Sequence, residues 1–161
     1  MAASGDKDLP FDRYERGGRT LLGRPRQGDV TARHGYGPPV FEQCGYKCVY
    51  CGLDMVATFG NWLQVSIDHV IPRQMARAPH NYPMDWVEDI TNLVTCCRAC
   101  NDFGNHYTVS GAKPATEADF FEMRDRVFLE RRANILVARE KERLDHFVKI
   151  ASRRASDWQT R

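Results

Sequence analysis

Two Cys-x-x-Cys pairs, Cys48/Cys51 and Cys97/Cys100, have 45 residues between them, and the dipeptide Asp68-His69 lies inside that interval. Four thiolates in two such pairs suit a tetrahedral Zn2+, because two intervening residues let both sulfurs of a pair face one ion. In a reducing compartment the spacing reads as metal ligation rather than disulfide pairing. Inert buried cysteines and a redox pair are the competing readings of the same residues. Cys44 and Cys96 are surplus. Cys96 with Cys100 would leave three residues between them, a poorer match to the sister pair, and Cys44 falls on the approach to the first knuckle. The spacing therefore assigns a structural zinc to Cys48, Cys51, Cys97 and Cys100, and treats Cys44 as free.

A zinc clamp of this kind holds something in place, and the residues with chemistry to offer are Asp68, His69 and Asn101, which directly follows the last cysteine. A carboxylate and an amide are oxygen donors for a hard cation. An imidazole titrating near ~6.5 can take a proton at neutral pH. Each has a plainer reading. An Asp-His pair on a strand is commonly a hydrogen-bonded structural pair, and Asn92 and Asn101 taken alone read as helix caps. Asn105, one helical turn beyond Asn101, is a second candidate ligand, and His106 reads as a surface histidine.

The elements that must position these residues follow from local pattern. Val40 to Gly52 reads as a turn of helix entering the first knuckle. Met55–Thr58 and Leu63–Ile67 are strand-like, and Phe59-Gly60-Asn61 supplies turn chemistry between them, so a hairpin is expected there. In its second strand Leu63, Val65 and Ile67 alternate with Gln64, Ser66 and Asp68, which puts Asp68 on the polar face. Strict alternation turns His69 the other way, so both serve one site only if the strand ends or bulges near Asp68, a stop that Pro72 favours. A long connection over 74–91 leads to the apolar run Asn92-Leu93-Val94-Thr95, and a helix is expected from Arg98 to His106. Thr116-x-x-Asp119 resembles a capping box, with no Gly or Pro after it. Phe120, Phe121, Met123, Val127, Phe128, Ile135, Leu136, Leu144, Phe147 and Val148 then recur among charges, as in one long amphipathic helix or two consecutive ones.

Three segments result: a flexible, Gly- and Arg-rich N-terminal arm over 1–38, a domain over 39–112, and a C-terminal helical extension over 113–161. Net charge is only +2, but its distribution is uneven. Residues 1–40 carry seven Lys/Arg against five Asp/Glu, residues 41–111 four against seven, and residues 112–161 twelve against nine. Basic ends around an acidic centre suit a cation-attracting middle flanked by arms that tolerate phosphate, although solvated mixed-charge ends account for them equally. No apolar run approaches the ~20 residues that span a bilayer. Met1 to Pro10 has no apolar stretch of a secretory signal, and its aspartates argue against a mitochondrial transit peptide. A cytoplasmic location with no membrane partner is expected.

In order, Cys48-Val-Tyr-Cys51-Gly, Asp68-His69-Val-Ile-Pro, Asn92-Leu-Val and Cys97-Arg-Ala-Cys100-Asn101 resemble the HNH endonucleases that carry a four-cysteine zinc site. The resemblance covers about residues 40–110, and the stretch FFEMRDRVFLERRANILVAREKERL resembles the tail of a prokaryotic HNH subgroup. It implies an α+β chain built on a ββα-metal finger, in which a hairpin and a helix grip one divalent cation and zinc knuckles brace them. Carried over residue by residue, His69 would be the general base, Asp68 and Asn101 would hold a catalytic Mg2+ or Mn2+, and Asn92 would orient the loop bearing His69. The implied activity is metal-dependent hydrolysis of phosphodiester bonds in DNA, with RNA as the other polymer of the same chemistry. One finger makes one active site, so cutting both strands needs two encounters or a homodimer, for which the C-terminal helix offers a surface. Many members carry a lysine shortly after the last cysteine, where this chain has Asp102-Phe103-Gly104.

Two other classes compete. A non-catalytic zinc module that binds nucleic acid or protein needs the cysteines but not His69. A zinc nucleobase deaminase needs His-x-Glu with Pro-Cys-x-x-Cys, and neither form occurs here.

Overall fold

The computed structural model describes residues 37–104 and 107–159. The expected N-terminal arm lies almost wholly outside the described residues, as do Asn105 and His106. The described part is mixed α+β, with a two-stranded antiparallel sheet against which the helices pack.

Helix α1, Gly37–Gln43, buries Val40 and Phe41 and runs into the first knuckle. There the backbone N–H of Gly52 donates to the carbonyl of Cys48 at 2.8 Å, and Cys48 N–H donates to Leu53 at 2.9 Å. The tight reversal puts Gly52 at φ 76°, where a side chain would be strained although space is open around it.

The expected hairpin does not form. Residues 55–58 are bends, and Phe59–Leu63 is a short helix, α2. Thr58 explains the difference: its Oγ1 accepts from Asn61 N–H at 3.1 Å, a helix N-cap where turn chemistry alone suggests a reversal. Asn61 Nδ2 also donates to the carbonyl of Asp54, at 2.7 Å.

Strand β1, Val65–His69, pairs instead with β2, Leu93–Cys97, which is buried along its whole length. The register runs from Val65↔Cys97 to His69↔Leu93. The other edge of β2 is closed as well: Val49 N–H donates to Thr95 O at 3.0 Å, and Thr95 N–H donates to Cys44 Sγ at 3.2 Å. An edge covered on both sides has no unpaired ladder left to template aggregation. Between the strands run a 3-10 turn at Arg73–Ala76, helix α3 at Met84–Val87 and a second 3-10 turn at Ile90–Asn92. Helix α4, Arg98–Gly104, leaves β2 without a break.

The C-terminal segment is one continuous helical rod. Helix α5, Glu117–Glu142, passes through a π turn at Arg143–Phe147 into α6, Val148–Gln159. The capping box at its start is complete: Asp119 N–H donates to Thr116 Oγ1 at 3.1 Å, and Thr116 N–H donates to Asp119 Oδ2 at 2.9 Å. Its first half shares one hydrophobic core with the sheet, through Phe120, Phe121, Met123, Val127, Phe128 and Ile135. Phe128 stacks on Tyr50 from the first knuckle, with ring centroids 5.7 Å apart. Beyond Ile135 the apolar residues Val137, Leu144, Phe147 and Ile150 are exposed. Among the described residues no helix is long and apolar enough to cross a membrane.

Phe128 is fully buried at the joint between rod and knuckle. Phe128→Ala is therefore expected to cost about 3–5 kcal/mol, read as a lower denaturant midpoint in metal-saturated protein.

Candidate functional site

The four cysteines chosen by spacing converge. The first knuckle supplies Cys48 and Cys51, and the junction of β2 with α4 supplies Cys97 and Cys100. All four Sγ atoms lie within 4.8 Å of one another. Cys51 Sγ and Cys97 Sγ are 3.9 Å apart. A tetrahedron with Zn–S bonds of ~2.3 Å has edges of about 3.8 Å, so the donor set fits a zinc ion. Cys48, Cys97 and Cys100 are buried, and Cys51 is half-buried. Hydrogen bonds among the thiols, from Cys100 first and then Cys48, hold Cys97 far below the ordinary thiol range and bring Cys51 down to about 6. The same contacts, led by Cys48, push Cys100 far up.

Cys96 and Cys44 lie outside the cluster. Alternation along β2 turns Cys96 away from its neighbour, and its Sγ stands 3.8 Å from the carbonyl of Ser66, with burial pushing its thiol up. Cys44 is buried behind the sheet, where its sulfur accepts the Thr95 amide described above.

Asp68 and His69 end β1. Asp68 is enclosed more tightly than an open ligand: its Oδ2 accepts from Tyr50 Oη at 2.6 Å and stands 2.7 Å from Arg131 Nη2. Burial, then the Asp68 charge, pushes the Tyr50 phenol well above its usual range, so it stays a donor. Arg131, 2% exposed, comes from α5 and does more than pair with Asp68. Its Nη1 donates to the carbonyls of His69 at 2.7 Å and Val70 at 2.8 Å, and its Nη2 donates to Gly104 O at 3.4 Å. A Cβ on Gly104 would fall 2.8 Å from that Nη2, so the glycine at the end of α4 makes room for the guanidinium.

His69 Nε2 stands 3.8 Å from Oε2 of the buried Glu88, whose Oε1 is 2.7 Å from Arg73 Nε. Asn92, fully buried, clasps the backbone just after His69. Its Oδ1 accepts from Ile71 N–H at 2.9 Å, and its Nδ2 donates to Ile71 O at 3.0 Å and to Val87 O at 2.7 Å. Asn101, on α4, donates from Nδ2 to Ser66 Oγ at 3.3 Å. Ser66 and Asp68 share one face of β1, so Asn101 and Asp68 flank the same strip of strand. The expected end or bulge at Asp68 does not occur: pairing runs unbroken through His69, so alternation turns its side chain away from the face that carries Ser66 and Asp68, toward Glu88.

Sequence reasoning missed Tyr50, Glu88, Arg131 and Arg139. The available signal was in the helix: Arg124, Arg131 and Arg139 recur at seven- and eight-residue spacing on the stripe that carries Phe120, Phe128 and Ile135. Arginines set within a helix's apolar stripe need polar partners. Arg124 finds Thr91 O at 2.9 Å, and Arg139 reaches the cysteines. Comparison with known proteins found no matching family model, no matching curated protein and no matching solved structure.

Two outcomes test this geometry. Cys97→Ser is expected to release zinc and unfold the domain, while Cys44→Ser and Cys96→Ser keep the parent stoichiometry by metal analysis; zinc loss from Cys96→Ser would reverse the ligand assignment. Arg131→Met leaves the 11%-exposed Asp68 carboxylate without its cation. It is expected to lower unfolding free energy by about 3–5 kcal/mol in denaturant titration, whereas an unchanged midpoint would show the pair to be idle.

Proposed function

We propose that the chain is a metal-dependent endonuclease of the HNH kind, hydrolysing phosphodiester bonds in DNA with His69 as the general base. The observation that carries this reading is the order strand, strand, helix. His69 ends the first strand directly after Asp68, the helix after the second strand sets Asn101 against the face that carries Ser66 and Asp68, and a zinc-type cluster braces the joint.

In this reading His69 removes a proton from a water molecule, whose oxygen forms the new bond to phosphorus as the bond to the leaving 3′ oxygen breaks. The ends left are a 3′-hydroxyl and a 5′-phosphate. Arg131 and Asn92 fix the backbone from His69 to Ile71, and the Glu88 carboxylate stands near Nε2 of His69.

Asp68 and Asn101 are the residues that would hold a Mg2+ or Mn2+ ion. Asp68 Oδ2 and Asn101 Nδ2 are engaged with Tyr50, Arg131 and Ser66, which leaves one carboxylate oxygen and one amide oxygen as donors. The set fits a weakly held hard cation whose remaining positions go to water and phosphate. Such an ion supplies compensation for the charge that develops on phosphate and leaving group.

The pairing of Asp68 with Arg131 favours a second reading, a non-catalytic zinc module that binds nucleic acid, because it offsets the one formal negative charge offered to the cation.

Nicking of supercoiled plasmid by zinc-loaded protein, with and without Mg2+ or Mn2+, separates the two. The endonuclease reading expects metal-dependent nicking that His69→Ala abolishes with zinc content and fold intact. Asn101→Ala should raise the Mg2+ requirement severely, with Asn101→Asp retaining activity. Full activity in His69→Ala would sink the mechanism, and DNA retention without cleavage under any metal would select the binding module.

A further inference from the structure

The rod-like C-terminal helix reaches the cysteine cluster through Arg139. Arg139 Nη1 stands 3.5 Å from Cys100 Sγ and 3.8 Å from Cys97 Sγ, both within hydrogen-bond range for sulfur. It does so where the helix has already left the core, since Ile135 is buried and Leu136 and Val137 are exposed. Ile135 buries the preceding turn, Leu136 with Phe103 and Phe147 lines a shallow groove beside Cys51, and the contact with the sulfurs is the polar tie of this turn.

We propose that Arg139 belongs to the metal centre: its guanidinium donates to the sulfurs of Cys100 and Cys97 and locks the second half of α5 onto the metal-loaded cluster. Four thiolates around one Zn2+ carry two net negative charges in a largely buried site. A guanidinium beside them cancels half of that charge and supplies N–H donors to sulfurs whose lone pairs are not all spent on the metal. Arg139 lies 39 and 42 residues from its two sulfur partners along the chain. The contact therefore spends one interaction on two equilibria, so whatever it adds to metal retention metal also adds to helix docking. Arg139 and Cys51, the most accessible of the four ligands, line the same groove. The inference does not depend on the endonuclease reading.

The test compares zinc release from Arg139→Gln, Arg139→Met and the parent, using a chromogenic chelator in excess. It adds the sulfur-to-metal charge-transfer band of the Co2+-substituted proteins and hydrogen exchange of residues 136–142 with zinc bound. Loss of a partner that orients metal ligands typically costs 10–100-fold in affinity, so release from Arg139→Met should be about 10-fold faster or more, with Arg139→Gln between it and the parent. The Co2+ band should shift in both variants, and exchange over 136–142 should speed up while residues 120–128 stay protected. Lys149→Gln, which removes the exposed pair with Asp145 outside this groove, is the control and should match the parent in all three readouts. Parent-like release with an unshifted Co2+ band in Arg139→Met would overturn the proposal. So would a parent that binds no zinc, an outcome that plasmid nicking does not report on.

Discussion

A single buried guanidinium joins the parts of this molecule that sequence separates most widely. Arg131 reaches from the C-terminal rod to the end of β1, to the backbone beyond it and to the last carbonyl of α4. Burying a full charge is costly unless it is paired and hydrogen-bonded; Nη1 and Nη2 of Arg131 find acceptors, while its buried Nε finds none among the described residues. Asp68 supplies the counter-charge, the three carbonyls take N–H groups, and the rings of Tyr50 and Tyr107 cover the flat faces at 5.7 and 5.9 Å. Because the cost of burial is met only when all these groups are present together, Arg131 makes the strand end, the helix end and the rod a cooperative unit.

The cysteine cluster is the second point of convergence, and the two are neighbours in topology. Asp68 stands next to the end of one strand, Cys97 closes the other, and α4 carries both Cys100 and Asn101. An ion in the cluster would fix the start of α4 against β2, while Arg131 fixes its end. The seven-residue helix between them is too short to be stable on its own merits. It is held as a strut, pinned at both ends, and this is what lets it set an asparagine against the strand face with no large core of its own.

Much of the local framework was legible in the sequence. The choice of Cys97 over Cys96 followed from spacing, and strand alternation gives the same answer, since adjacent residues on β2 must face opposite ways. The capping box at Thr116 and the long helix after it followed from residue type and periodicity. The pairing of strands was not legible. Thr58 can cap a helix as readily as it can precede a turn, and only the fully buried β2 decides that β1 pairs forward across a 23-residue connection rather than backward. The roles of Tyr50, Glu88, Arg131 and Arg139 were hidden for a related reason. Each acts through a partner 18 or more residues away, and no local pattern encodes such a distance.

Gly104 sits at the tightest of these approaches, where the missing methyl is the clearance that lets α4 and α5 close on one another. Its consequence is a constraint on how the chain can change. A side chain at 104 would have to displace the tip of Arg131, and a displaced guanidinium loosens its hold on a carboxylate, two strand-end carbonyls and the last carbonyl of the strut. The two positions, 27 residues apart, are thus coupled: a change at one is felt first at the other.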